Sequence, residues 1–394
     1  MFTFVDQIEF MEITDLQLLF KKYKESSLFH RYITNEKITH LLSKLETYAK
    51  VKIVGKSVLE NDIYTIKIGT GSKRILMWSQ MHGNESTTTK AIFDFLNVCI
   101  SNNSITNDIL DNCTLCIIPI LNPDGAEAYT RVNANDVDLN RDAQQRTQPE
   151  SDILRKVFNE FKPHFCHNLH GQRTIFSAGN TNKSATVSFL APAQDEACTV
   201  TPTRKIAMEI IAEMNSFLQK IIPEQVGVYD DAFNINCVGD TFQSENIPTI
   251  LFEAGHFHKD YARDKTRELI FISYITSLLY IANTDVDGSN YGAYFDIPEN
   301  KKLFFDVIIR NARLDESDRE TIDLAFQFEE RLQDDRIIFV PILKNIEILS
   351  NNFAHKEIDA KGAVVSSIDN KMLEVGYENV FVKLNNEKIA LFSK

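Results

Sequence analysis

His82-Gly-Asn-Glu85 stands where a short apolar run, Arg74-Ile-Leu-Met-Trp-Ser79, gives way to a helix expected from about Ser86. A neutral imidazole and a carboxylate three positions apart at such a junction can share one divalent cation, and zinc accepts N and O donors of this kind. The string alone is weak, because an H-x-x-E arises by accident in a chain with many His and Glu residues. Its weight comes from the later residues Arg131, Asn140-Arg141, His170 and Glu253, in that order. Those residue types supply a third metal ligand, two cationic clamps and a carboxylate base. A zinc helix of the H-E-x-x-H type would need a second histidine at position 86, which is Ser86, so the third ligand must come from a distant segment.

Two histidines compete for that post, His167 and His170, in Pro163-His-Phe-Cys-His-Asn-Leu-His-Gly171. Strand alternation puts His164, Cys166, Asn168 and His170 on one face and His167 on the other. His170 precedes Gly171 at the expected strand end, where functional groups collect in open α/β sheets. His170 is therefore taken as the ligand, with His164 and His167 as structural residues. Two His and one Glu leave a coordination position for water, the arrangement of a catalytic rather than a structural zinc. Such an ion brings its water to a pKa of about 7, and a carboxylate must then move the proton to the leaving amine. Glu253 suits that role, since it ends the apolar run Thr249-Ile-Leu-Phe252, where an idle carboxylate would be costly. His256 and His258 read as outer or surface residues.

Two guanidiniums near a cation, Arg131 and Arg141, suggest two negative charges to hold, a developing oxyanion and a permanent substrate carboxylate. Either arginine alone reads as a surface salt-bridge partner. Asn122-Pro-Asp-Gly125 is a turn by composition, with no chemistry assigned. Cys113-x-x-Cys116 lies in a run that reads as a buried strand and has no second cysteine pair, so a structural role is expected.

The elements that must position these residues alternate. Helical apolar spacing appears at 13–24 and 36–49, and again near 86–100, 150–161, 203–221 and 264–283. Runs rich in β-branched residues fill 51–57, 62–69 and 74–79, while Leu115–Ile120 and Thr249–Phe252 read as strands buried on both faces. This alternation predicts a three-layer α/β/α domain. After the polar stretch Ala282–Asn290 the runs become short and β-like, as in Leu303–Ile309, Arg336–Val340 and Glu378–Lys383. The expected division is a catalytic domain at 1–290 and a small β-rich C-terminal domain at 291–394, whose single histidine, His355, contributes no metal ligand.

A chain of 394 residues, 43% hydrophobic, has room for one sizeable core and a smaller module. The formal net charge of -13 argues against nucleic acid and against a polybasic membrane surface as partners. No apolar run approaches the length of a membrane span. The opening residues Met1-Phe-Thr-Phe-Val-Asp-Gln-Ile-Glu show no secretory signal, and six scattered cysteines suit free thiols in a reducing cytoplasm. A cytoplasmic enzyme is expected.

Taken together, His82-x-x-Glu85, Asn122-Pro-Asp-Gly125, Asp138-Leu-Asn140-Arg141, His170 and Leu251-Phe-Glu253 resemble the zinc metallocarboxypeptidase superfamily, in its carboxypeptidase A-type catalytic domain. These pieces span about the first two-thirds of the chain. The resemblance implies a mixed, mostly parallel eight-stranded sheet flanked by helices. It implies Zn2+ held by His82, Glu85 and His170, Arg131 as oxyanion clamp, Asn140 and Arg141 as carboxylate anchors, and Glu253 as general base. Members usually close a tyrosine over the substrate terminus; Tyr229 is the candidate here, by its distance before Glu253. The interval from Arg141 to His170 is shorter than in the digestive members. The implied reaction is zinc-dependent hydrolysis of a peptide's C-terminal amide bond. His82-Gly-Asn-Glu85 is also similar to the aspartoacylase and succinylglutamate desuccinylase branch, which makes an N-acyl amino acid with a free carboxylate the alternative substrate. The long stretch from His170 to Glu253 leaves room for a peptide and favours the first reading. A metal-containing binding protein without catalysis is a third reading, opposed by the presence of every candidate residue. Specificity residues are expected within Asp230–Gln243, where Asp240 either faces a basic side chain or caps a turn.

Overall fold

The structure, a computed structural model, describes residues 13–392. It divides into two compact units: residues up to Gln172 together with Ala185–Asn300, and Arg173–Ser184 together with the chain from Lys301 onward.

The first unit is built on an eight-stranded sheet of β1 (Lys50–Lys56), β2 (Asp62–Ile68), β3 (Lys73–Ser79), β4 (Cys113–Ile118), β5 (Phe165–Gly171), β7 (Val187–Leu190), β8 (Val226–Val228) and β9 (Thr249–Ala254), in the order β1-β2-β4-β3-β5-β9-β7-β8. The short strand β6 (Phe176–Ala178) belongs to the other unit. The sheet is mixed, with parallel pairing at β4-β3-β5-β9 and β7-β8. Around it lie α1 (Ile13–Tyr23), α2 (Asn35–Leu45), α3 (Thr87–Cys99), α4 (Ser104–Asn112), α5 (Pro123–Ala128), α6 (Pro149–Phe161), α7 (Pro202–Leu218), α8 (Val238–Ser244) and α9 (Asp264–Asn283).

Alternation along the strands feeds two cores. Ile75 and Met77 of β3 join the helices α1 to α4, α7 and α9 on one face. Leu76 and Trp78 join α6 and α8 on the other. The result is the three-layer α/β/α arrangement that the alternating pattern predicts. Helix α9 is buried almost throughout its length, as a helix without a polar face must be. Each large side chain removed from water contributes about 1.5–3 kcal/mol. All of β4 is buried, and burial pushes the Cys113 and Cys116 thiols up to about 12, which fits the structural role expected for that pair.

The boundary expected between 290 and 291 falls instead near residue 300. The turn Tyr291–Asp296 stays with the first unit because Tyr294 and Ile297 pack into its core. Residues 173–184 belong with the second unit, since β6 pairs with β10 (Asn300–Lys302). No sequence signal marks that exchange. The second unit is β-rich, as its short runs predict. Strands β11 (Phe304–Ala312), β12 (Ile322–Gln333), β13 (Arg336–Glu347) and β14 (Phe353–Asp359) form one sheet, and β15 (Val365–Ser366), β16 (Phe381–Leu384) and β17 (Glu387–Ala390) another. They enclose a core around Val307, Leu324, Phe326 and Leu343. His355 lies in β14, with Nε2 2.8 Å from the Thr174 carbonyl and its ring stacked on Phe304.

Candidate functional site

Parallel pairing places the carboxyl ends of β3, β5 and β9 side by side. Ser79 is level with Leu169, and His170 with Glu253. The chain leaves β3 through Gln80, at φ 45°, whose Nε2 donates to the Gly83 carbonyl at 2.8 Å and so folds the loop back on itself. Gly83 is required by packing: a Cβ there would sit 1.9 Å from the Gly125 backbone. The loop is thus wedged against α5. The Asn122 side chain caps that helix, accepting from Gly125 N at 2.8 Å, and donates to the carbonyls of Met81 and Val132, each at 3.2 Å. Asn122-Pro-Asp-Gly125, expected to be a plain turn, is therefore a helix start that fastens the His82 loop to the Arg131 loop. Ser79 completes the mount by bonding Thr88 and Thr89 of α3, at 2.7 and 2.8 Å.

Three side chains converge at this edge. His82 Nδ1 is 2.9 Å from Glu85 Oε1, and His170 Nδ1 is 3.0 Å from Glu85 Oε2. The two Nδ1 atoms are 3.1 Å apart. Among the described residues, His82, Glu85 and His170 are the group whose ligand atoms approach closely enough to hold a metal, all within 4.8 Å. Two imidazole nitrogens aimed at each other and at one carboxylate cannot all be satisfied by the protons available to them. A borderline divalent ion accepting an N2O donor set resolves that conflict, so these residues fit zinc. His170 Nε2 is buried without a hydrogen-bond partner.

Around the cluster the polar groups are ordered. Gly171 N donates to Glu85 Oε2 at 2.9 Å. Asp138 Oδ1 lies 3.1 Å from His82 Nε2 and also accepts from Asn140 N at 2.9 Å, while its Oδ2 accepts from Arg131 Nε at 3.0 Å. Arg131 Nη1 reaches to 3.2 Å from His82 Nδ1 and 3.5 Å from Glu85 Oε1. The sequence offers Asp138 only as one letter of a motif, without a role of its own. Its one signal is its place in the same short segment as Arg131 and Asn140, and only the fold puts it behind the imidazole.

Charge and burial pull these groups apart. Burial opposes ionisation of Glu85, yet the His82 charge and bonds from both histidines hold its carboxyl well below the usual range. The same contest lowers Asp138, through His82 and Arg131. Burial would depress His82, but Glu85 and Asp138 outweigh it and raise the imidazole. His170 is lowered by burial. Glu253 moves oppositely to Glu85: burial, then repulsion from Glu85, raises its carboxyl well above the ordinary value. Its Oε2 is buried without a hydrogen-bond partner. One carboxylate is thus kept ionised and its neighbour kept proton-avid.

Of the predicted residues, His82, Glu85, His170 and Arg131 lie within one hydrogen-bonded cluster, and Glu253 stands on the adjacent strand in register with His170. Asn140 and Arg141 connect to the cluster through Asp138, since they form the short turn Leu139–Arg141 that Asp138 caps. Asn140 Oδ1 also accepts from Val238 N at 3.0 Å, fixing the start of α8. Arg141 is exposed. Tyr229 is set apart. It follows β8, three strands from β5, and Val228 is level with Phe189 and hence with Phe252, so Tyr229 continues away from the edge that carries Glu253. Asp240 lies in the first turn of α8, where burial raises its carboxyl to about 6 against backbone N–H bonds from Asn234 and Asp240 itself. His167 packs on the opposite face against Phe252.

The first unit is thus a three-layer α/β/α fold with a His2Glu cluster at the carboxyl ends of its parallel strands. The zinc carboxypeptidase family matches residues 34–237, more than half of the chain, and the chain belongs to that family. Probable carboxypeptidase 2 of Trichophyton verrucosum is 27% identical over 112 residues, 28% of this chain and 21% of that one. Gamma-D-glutamyl-L-diamino acid endopeptidase 1 of Lysinibacillus sphaericus is 38% identical over 80 residues, 18% of this chain and 20% of that one. The match thus spans about a fifth of each of these relatives. Among solved structures, a metallo-carboxypeptidase from Burkholderia cenocepacia superposes with a TM-score of 0.51 at 17% identity, covering 63% of this chain and 69% of its own. Carboxypeptidase A from Helicoverpa armigera gives 0.52 at 16% identity, covering 71% and 80%. These two share the fold.

Proposed function

We propose that the protein is a zinc-dependent metallocarboxypeptidase that hydrolyses the C-terminal amide bond of a peptide. The observation that carries this reading is the convergence of His82 Nδ1, His170 Nδ1 and the Glu85 carboxylate beside Arg131 and Glu253. His82, Glu85 and His170 would hold the ion, which supplies Lewis acidity at the scissile carbonyl and makes water a nucleophile near neutral pH. Glu253 takes a proton from water at its unpartnered Oε2 and returns it to the leaving amine. Arg131 donates to the developing oxyanion. Asn140 and Arg141 pair with the terminal carboxylate, Arg141 by its fork of N–H donors. Asp138 fixes the tautomer and tilt of His82 from behind. Tyr229 remains the candidate for closing over the substrate only if the loop after β8 folds back on binding.

Membership of a peptidase family and two peptidase relatives support a peptide over an N-acyl amino acid. All six cysteines are free, which supports a reducing, cytoplasmic setting. Among the described residues no helix is long and apolar enough to cross a membrane. The test is turnover by zinc-loaded protein of blocked dipeptides, a gamma-D-glutamyl diamino acid peptide and N-acetyl and N-succinyl amino acids. Release from peptides is expected. Release only from the short acyl groups would replace this reading with the deacylase one, and no release from any would leave a metal-binding protein.

A further inference from the structure

Arg263 occupies the turn into α9 with φ 57°, a left-handed conformation uncommon for a residue with a side chain. Helix capping does not explain it. Arg263 makes no side-chain cap bond, and the first N–H groups of α9 are taken by Asp260, whose carboxylate accepts from Asp264 N and Lys265 N at 2.8 Å and from Thr266 N at 3.1 Å. The kink instead turns the guanidinium back into the sheet, where Arg263 is buried. Nη1 donates to the Ala254 carbonyl and Nη2 to the Gln172 carbonyl, the latter at 2.6 Å.

Those two carbonyls lie just past the two residues whose spacing matters most. Ala254 follows Glu253, and Gln172 is two residues beyond His170. Gln172 N donates to the same Ala254 oxygen at 3.0 Å, so the β5–β9 pairing ends in a junction of two strands and one guanidinium. A planar fork bonding two carbonyls sets their separation in a way a point charge cannot. Thr266 Oγ1 adds a bond to the Gly255 carbonyl at 3.2 Å. Gly255 itself is hemmed in, since a Cβ there would fall 2.1 Å from the Ala185 carbonyl.

We infer that Arg263 is a positioning residue: it fixes the lateral spacing of the β5 and β9 ends and so the distance from the metal-ligating His170 to the base Glu253. The catalytic part of this inference rests on the proposed function; the strand clamp does not. Two variants separate clamp from fold and charge. Arg263→Gly removes the guanidinium while relaxing the left-handed backbone, and Arg263→Lys keeps the charge without the fork. In both, amide exchange in peptides covering residues 168–174 and 251–257 should accelerate about tenfold or more, with exchange across β3 and β4 nearly unchanged. Zinc affinity by chelator competition should stay within about threefold and KM likewise, while kcat falls about 10- to 100-fold, as expected for a misplaced base. Unchanged exchange at the two strand ends, acceleration spread over the whole sheet, or a kcat equal to wild type despite faster exchange would each overturn the inference. If wild-type protein turns over no peptide, the proposed function fails by itself, and the exchange data alone decide the clamp.

Discussion

Asp138 stands directly behind His82, its Oδ1 3.1 Å from Nε2, while its other oxygen holds Arg131 Nε at 3.0 Å. One carboxylate thereby contacts both an imidazole of the candidate metal cluster and the guanidinium that leans over it. Arg131, nearly half exposed along its side chain, is tied to the cluster by this ion pair.

Replacing Asp138 with Asn should weaken zinc binding about 10- to 100-fold, because the amide holds the imidazole less firmly and lowers its basicity. Competition with a chromogenic chelator measures this. An affinity equal to wild type would remove Asp138 from the support of the site.

Glu253→Gln should reduce kcat about 100- to 10,000-fold, the usual span for a lost acid–base group, with one zinc still bound per chain. Steady-state kinetics beside metal analysis separates the two effects. Turnover near wild type would show that another group moves the proton.

Zinc bound only by the folded state must raise the melting temperature in a concentration-dependent way, by about 4 kcal/mol of stability at a thousandfold excess over Kd. Stripping the protein with chelator should reverse the shift, and His170→Ala should abolish most of it. A melting curve indifferent to zinc would contradict the proposed metal site.

At Gly83 the constraint is steric. Gly83→Ala drives a methyl into the Gly125 backbone, and overpacking of this kind costs about 1–3 kcal/mol or more. The apo protein should therefore melt several degrees lower even with zinc absent. An unchanged melting point would mean that the loop relaxes at no cost.

The pH dependence of stability should expose Asp240. Its folded pKa of about 6 lies above the ordinary value of 3.8. A carboxyl so raised stabilises the fold fully below its unfolded pKa, and that contribution is lost as pH rises through about 6. Asp240→Asn should therefore melt higher than wild type at pH 8 and nearly together with it at pH 4. The opposite order at pH 8 would indicate that the ionised carboxylate is held favourably, as by Arg141.

Much of the site is legible in the chain because metal chemistry restricts residue type. His82 and Glu85 share a single turn at a strand end, so their convergence is a local matter. His170 could be preferred over His167 because strand periodicity assigns faces without knowledge of the partners. The apolar runs of β4 and β9 likewise announce strands buried on both sides. The β-rich character of the C-terminal part follows from the short apolar runs after residue 300.

The tertiary structure alone decided the relations between segments far apart. Parallel pairing sets His170 beside Glu253, and Tyr229 is sent the other way because β7 runs antiparallel to β9. Asp138 behind His82, Gly83 against Gly125 and Arg263 across two strand ends are contacts over long stretches of chain, with no periodicity to betray them. The same holds for residues 173–184, which the pairing of β6 with β10 assigns to the second unit. Sequence patterns report which face of an element is buried; strand order, register and backbone approach are decided only when the elements pack.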